Sequence, residues 1–238
     1  YEIVEVHPLS KAESKLISPD YVKVPILRID TADGQSFQLR DSKTIVRALL
    51  GPRSPGVSSK VPAPSATAST GKMWPATGQD SGSVEEQWIL WTDKVLVQCI
   101  VLNVYRNLTE SAETFQYLLT HSAFPWFAQR SAAVSGTVVM CALAKYRKRK
   151  YEVPDERAAL YEACDCFAAA VSTGGSRFLS GEQPGAVDFN VYGILRSAEA
   201  CQTERDLMQS CPSILPWYSA MEGSVGESQA SNARTVKR

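Results

Sequence analysis

The chain carries no net charge, its 25 lysines and arginines being matched by 25 aspartates and glutamates. A balanced surface gives no electrostatic argument for a nucleic-acid partner. Histidine is scarce, with only His7 and His121, and none of the six cysteines stands in C-x-x-C spacing. A tetrahedral zinc site needs four such ligands, so no metal site is expected. Cys164-Asp165-Cys166 comes nearest to a redox pair, but neighbours two apart on a helix point to different faces. Free, mostly buried thiols are therefore expected of Cys99, Cys141, Cys164, Cys166, Cys201 and Cys211. No apolar run is long enough to span a bilayer, and no signal-peptide pattern opens the chain, so a soluble polypeptide is expected. The first residue is Tyr rather than Met, as in a fragment or processed form.

What is present is enough chain, 238 residues, for one large domain or two small ones with a proper core. The most informative stretch is 22–42, VKVPILRIDTADGQSFQLRDS. Val22, Val24, Ile26, Leu27 and Ile29 form a β-rich run, and Asp33-Gly34 is a strong hairpin signal. Ser36 to Leu39 then alternate, and Asp41-Ser42 precede Ile45, Val46, Leu49 and Leu50 at helical spacing. Pro25 breaks the pattern because it cannot donate to a ladder. It suits either an edge strand or a cis bond after Val24. In the second case the Val24 N–H and C=O are free to pair with an extended peptide. Asp41 and Ser42 at a helix tip are either an ordinary N-cap or a place for a carboxylate, with the Asp41 side chain able to hold an ammonium.

Along the rest of the chain, Tyr1–Val6 alternates as a strand, and Ser10–Leu16 reads as a short helix or irregular connection. Residues 51–83 are rich in Pro, Gly, Ser, Thr and Ala, and read as a flexible linker or insertion. Helical patterns follow. Trp88, Trp91, Val95, Cys99 and Leu102 mark one face of a long helix, with Glu85 and Glu86 in its first turn. Further helices are expected over about 110–121, 127–150, 155–171, 186–199 and after Pro216. His121 reads as a surface residue. The basic run Lys145–Lys150 reads as a solvated helix C-terminus or as an attraction for an anionic or membrane-bound partner. Gly174-Gly175 ends one helix. Gly185 caps the next, with Asp188 at N3 as a structural cap. Tyr105 and Arg106 read as a core ring and an acid-paired or capping arginine, or as active-site groups.

Val24-Pro25-Ile26-Leu27 and Gln38-Leu39-x-Asp41-Ser42 resemble the thioredoxin-fold half of a glutathione transferase. Asn103-Val104-Tyr105-Arg106, Thr109-Glu110 and Phe115-Gln116-Tyr117 are similar to the membrane-associated prostaglandin E synthase type 2 family. So are Trp88-x-x-Trp91-x-Asp93, Leu160-Tyr161-Glu162-Ala163, Ala186-x-Asp188 with Val191-Tyr192-Gly193, and Pro216-Trp217-Tyr218. The resemblance runs from Tyr1 to about Met221, matching poorly from about Gly51 to Ser83.

That resemblance implies an α/β plus all-α fold. A partial thioredoxin-like domain (1–50) lacks its first strand and helix, and a linker or insertion (51–83) follows. An all-helical transferase-like domain (84–222) and a flexible tail (223–238) complete the chain. It implies glutathione bound by Val24, Pro25, Asp41 and Ser42, haem beside it in a cleft lined by Trp88–Tyr105, and a homodimer through the helical domain. The implied reaction is isomerisation of prostaglandin H2, a lipid endoperoxide, to prostaglandin E2 by the full-length parent, in Golgi or other endomembranes or in the cytoplasm. The family's Cys-Pro-x-Cys is not in this chain, Gln98 stands where the family has a cleft histidine, and Tyr146 and Lys150 replace family arginines. A non-catalytic binding or dimerisation module and a conjugating transferase are the alternatives.

Overall fold

The computed structural model describes residues 1–6, 11–21, 23–74, 82–120, 126–227 and 229. Helix α1 (Ala12–Ile17) precedes an antiparallel hairpin of β1 (Ile26–Asp30) and β2 (Ser36–Arg40), which leads into α2 (Ser42–Leu50). Gly34 closes the hairpin. Its φ of 83° lies in the left-handed region that glycine enters without penalty, and its N–H donates to the Thr31 carbonyl at 3.0 Å. The register pairs Ile26 with Arg40, Leu27 with Leu39 and Ile29 with Phe37. Gln38 ties the sheet to α1 by donating to the Ile17 carbonyl at 2.6 Å.

Tyr1–Val6 is not a strand, contrary to its alternation. Period-two patterning supplies an amphipathic edge but not a ladder, and among the described residues only β1 and β2 pair.

The body is helical: α3 (Val84–Trp91), a π-helical turn (Thr92–Leu96), α4 (Val97–Val104), α5 (Leu108–Thr120), α6 (Trp126–Lys150), α7 (Glu156–Gly174), α8 (Ala186–Arg196), α9 (Gln202–Ser210) and α10 (Leu215–Val225). Ser83 and Glu86 form a capping box that starts α3, and Asp155 accepts from the Arg157 and Ala158 amides to start α7. Helix α7 runs through the middle, burying Leu160, Ala163, Cys164, Phe167 and Ala170, the apolar stripe visible in the sequence. Around it Trp88, Phe167 and Trp217 meet edge to face, with ring centroids 5.7 and 4.8 Å apart along the chain of contacts. Such large rings, all buried, make this the centre of the core. The π-helical turn adds a residue to the α3–α4 rod, so Val95 and Leu96 are both buried; the Thr92 hydroxyl donates to the Trp88 carbonyl at 2.7 Å there. No helix among the described residues is long and apolar enough to cross a membrane.

Residues 51–74 differ from the flexible linker that their composition predicts. Val61, Met73 and Trp74 are buried against the helical core. The segment is also fastened by polar bonds: Trp88 Nε1 donates to the Pro62 carbonyl at 3.0 Å and Ser69 Oγ to Glu162 Oε1 at 2.6 Å. Isolated buried side chains without periodicity leave no pattern for a sequence reading to find. Helix α9 escaped it too, because its polar sequence has little beyond Leu207 to bury.

Gly185 is explained by its surroundings. A Cβ there would lie 2.6 Å from the Pro55 carbonyl oxygen and 2.6 Å from Ser180 Cβ. A serine at this N-cap, favourable in an isolated helix by a few tenths of a kcal/mol over glycine, has no room here. Gly185→Ser is therefore expected to destabilise the chain by about 1–3 kcal/mol, as overpacking does, which chemical denaturation will read. An unchanged or raised midpoint would show that the 51–57 segment yields freely.

The β–β–α unit ahead of an all-helical body is the arrangement expected of a partial thioredoxin-like domain followed by a transferase-like helical domain.

Candidate functional site

The ladder brings together the residues singled out at the start of α2. It ends at Ile26 opposite Arg40, so Val24-Pro25 and Asp41-Ser42 adjoin the same end of the hairpin. The Val24–Pro25 peptide bond is cis. Among the described residues, neither the N–H nor the C=O of Val24 is paired, and its side chain is exposed. Asp41 is the N-cap of α2, yet its carboxylate makes no capping bond. Its backbone sits at φ 73°, a conformation that an L side chain seldom takes unless its surroundings impose it. Ser42, exposed, opens the helix with free N-terminal amides. That end of the hairpin, the rim, therefore carries a backbone donor and acceptor, a carboxylate without a capping bond and a helix tip.

This rim is joined to the helical body by an ion pair. Lys43, in the first turn of α2, meets Asp93 of the π-helical turn, and Arg47 stands 3.9 Å from Glu85 one turn on. Val46 and Leu50 on the inner side of α2 pack on the core, where α2 lies against α8. Nothing in the sequence joins Lys43 to Asp93, fifty residues away. An ion pair between elements leaves no local spacing.

The α3–α4 rod buries Trp88, Trp91, Val95, Cys99 and Leu102 and leaves Leu90, Asp93, Lys94, Val97 and Gln98 at least partly open. Gln98, the residue standing in place of a cleft histidine, is held by Arg147 Nη1 at 2.9 Å. A carboxamide so engaged is not a haem ligand of the imidazole kind, and His7 and His121 both lie outside the described residues. Gln98 thus offers haem no imidazole ligand.

Tyr105 and Arg106 are structural in their contacts. The Tyr105 ring, half-buried, lies 5.8 Å from that of Phe115, and burial raises its phenol above the ordinary range. Arg106 Nη2 donates to Glu110 Oε1 at 2.6 Å. Tyr146 is exposed, and Lys150 sits over the Tyr151 ring.

The thiols lie away from the rim, all six in the helical body. Cys99, fully enclosed, is pushed up to about 12 by burial alone. Cys164 faces inward and Cys166, two residues on, is half-exposed.

Asp188 holds more than its own helix. Its Oδ2 accepts from the Gly185 N–H at 3.1 Å and the Ser180 N–H at 3.2 Å; its Oδ1 accepts from the Leu179 N–H at 2.9 Å and Trp217 Nε1 at 3.0 Å. Only the first of these was legible in the Gly185-x-x-Asp188 spacing.

The helical half matches the family described as Glutathione S-transferase, C-terminal domain, over residues 144–220, from the end of α6 into α10. With the β–β–α unit in front of it, the chain is similar to the glutathione transferase superfamily. Two curated proteins are similar over nearly its full length. Prostaglandin E synthase 2 of Danio rerio is 32% identical over 247 residues, 93% of this chain and 63% of that protein. Prostaglandin E synthase 2 of Mus musculus is 32% identical over 252 residues, 95% and 64% respectively. The chain is thus similar to prostaglandin E synthase 2 and spans somewhat less than two thirds of the length of these relatives.

Proposed function

We propose that the chain carries the glutathione-binding part of a protein that isomerises prostaglandin H2 to prostaglandin E2. What supports this reading is that the unpaired Val24 backbone and an uncommitted Asp41 carboxylate at positive φ adjoin the same end of the hairpin, at the start of α2. An extended peptide adds to Val24 as a short strand, its N–H and C=O meeting those of the chain. Its α-amino acid head then reaches the helix tip, where Asp41 receives the ammonium and the Ser42 end of α2 receives the carboxylate. Pro25 shapes the rim between them. Glutathione held this way supplies a thiolate, a soft nucleophile suited to a weak O–O bond. The family's own cysteine motif is not among these residues, so the chain's part is to bind and orient that thiol.

The same reading carries a homodimer through the helical domain and a full-length parent associated with endomembranes or held in the cytoplasm. A second reading, a non-catalytic transferase-like module, is favoured by one observation: Gln98 is locked to Arg147 where a ligand or base would be needed. Turnover of prostaglandin H2 by the full-length protein separates the two. Glutathione-dependent formation of prostaglandin E2 well above spontaneous decay is expected. Decay at the background rate with glutathione present would leave the binding module.

A further inference from the structure

We propose that a cavity between the α8–α9 turn, α9 and α10 is a binding site for a linear polyamine, with Tyr218, Glu204 and Glu222 as its recognition groups. It is made of other elements than the α2 rim. The cavity has a volume of about 540 Å3 and is lined by Glu204 and Met208 of α9 and by Leu215, Tyr218 and Glu222 of α10. Helical spacing puts these side chains there: the α9 pair stand four residues apart, and the α10 residues three and four apart on one face.

Tyr218 is the reason to expect an occupant. Only 6% of it is exposed, and its ring packs against those of Tyr192 and Trp217. Its hydroxyl nevertheless meets no hydrogen-bond partner among the described residues, whereas the hydroxyl of the neighbouring Tyr192 receives Arg196 Nη1 at 2.6 Å. A buried tyrosine ordinarily finds such a partner. The Tyr218 hydroxyl is not sealed in, and what it opens onto is the cavity. Burial raises its pKa, and Tyr192, Glu204 and Glu222 raise it further, so the phenol stays neutral and both carboxylates bear on it.

Charge and shape select the ligand. The Glu204 carboxylate accepts from the Ala200 N–H at 2.8 Å and forms no ion pair among the described residues. Glu199, at the edge of the cavity, is already answered by Arg196 at 3.3 Å. Negative charge beside the apolar Met208 and Leu215 calls for a cation with a hydrocarbon stem. Among the described residues no three acidic groups stand close enough to hold a metal ion. The charges are therefore met one by one, by ammonium groups spaced along a single chain. One ammonium donates to the Tyr218 hydroxyl oxygen and to Glu204, a second donates to Glu222, and the methylenes between them lie on Met208 and Leu215.

Thermal unfolding of the 238-residue chain with spermidine, n-butylamine or Mg2+ is the first test, since a ligand of the folded state raises the midpoint by mass action. Spermidine is expected to raise it and the other two to leave it nearly unmoved. Calorimetric titration of spermidine into two variants is the second. Tyr218→Phe removes a hydroxyl that bonds to nothing in the chain and leaves the net charge as it was. It is expected to keep native circular dichroism and to weaken spermidine about tenfold, as the loss of one charge-assisted hydrogen bond does. Glu204→Gln can still accept from the Ala200 N–H and is expected to weaken spermidine by a similar factor. No rise with spermidine, an equal rise with n-butylamine or Mg2+, or an affinity untouched by Tyr218→Phe overturns the proposal. The last result would reduce the binding to general attraction between opposite charges.

Discussion

Asp188→Ala is expected to lower the unfolding free energy by about 4 kcal/mol, because it strips a buried carboxylate from four N–H donors at once. Those donors lie on three separate pieces of chain: the Phe178–Gly181 turn, the start of α8 and the Trp217 indole on α10. All are buried, so none can turn to water instead. A net loss of about 1–3 kcal/mol for each donor left unmet makes the sum a large part of the about 5–15 kcal/mol that a domain possesses. Asp188→Asn distinguishes a hydrogen-bond role from a packing role, since the side chain keeps its size but exchanges an acceptor for a donor. It too is expected to cost several kcal/mol, of the order lost when a buried polar network is broken. Urea denaturation of both variants reads the effect. If the asparagine variant is as stable as the parent, the carboxylate is not what holds these pieces.

Arg157→Leu is expected to cost about 3–5 kcal/mol, the usual result of removing one partner from a buried ionic network. The guanidinium links four helices. Its Nη1 donates to Asn103 on α4 and Thr203 on α9, each at 2.9 Å. Its Nη2 donates to Glu110 on α5 at 2.8 Å and pairs with Asp206 on α9 at 2.7 Å. Asn103, fully buried, in turn donates to the Glu156 carbonyl at 2.7 Å, so the α7 N-terminus is fastened by the same cluster. Loss of Arg157 leaves the Glu110 carboxylate with Arg106 and Asn107 among the described residues. Because the two residues share one network, Arg157→Leu combined with Glu110→Leu is expected to cost measurably less than the sum of the single changes. Strict additivity in thermal or urea unfolding would show that the pair does not act together.

These two hubs show what a single sequence conveys and where it falls silent. The apolar stripes of α3–α4 and α7 were legible because their burial repeats at helical spacing, and the structure buries Trp88, Trp91, Val95, Cys99 and Leu102 as that spacing requires. Asp33-Gly34, Gly174-Gly175 and the Gly185–Asp188 start of α8 were legible because each is a local chemical choice. Arg157 was not singled out at all. Its partners are 46 to 54 residues away in sequence, and an arginine on a helix otherwise reads as solvated. Tyr1–Val6 failed for the opposite reason: the pattern is there, but among the described residues only β1 and β2 form a ladder. Residues 51–74 failed because Val61, Met73 and Trp74 are buried singly.

At the candidate site the same division holds. Val24, Pro25, Asp41 and Ser42 stood out because a proline within a strand pattern and an acid before a helix are local anomalies. Both pairs adjoin the same end of the hairpin, whose turn Asp33-Gly34 makes. The Lys43–Asp93 pair that joins this rim to the helical body, and the Arg147–Gln98 bond on the open face of α4, depend on tertiary packing and leave no mark in the sequence.

Isothermal titration of glutathione into the chain and into its Asp41→Ala variant tests the rim directly. Asp41 is exposed at the helix tip and makes no capping bond, so its replacement leaves the fold intact. Binding of glutathione to the parent chain, weakened about tenfold in the variant as expected for the loss of one charge-assisted hydrogen bond, is the predicted result. Heat-silent injections into the parent chain, or equal affinities for the two, would contradict it.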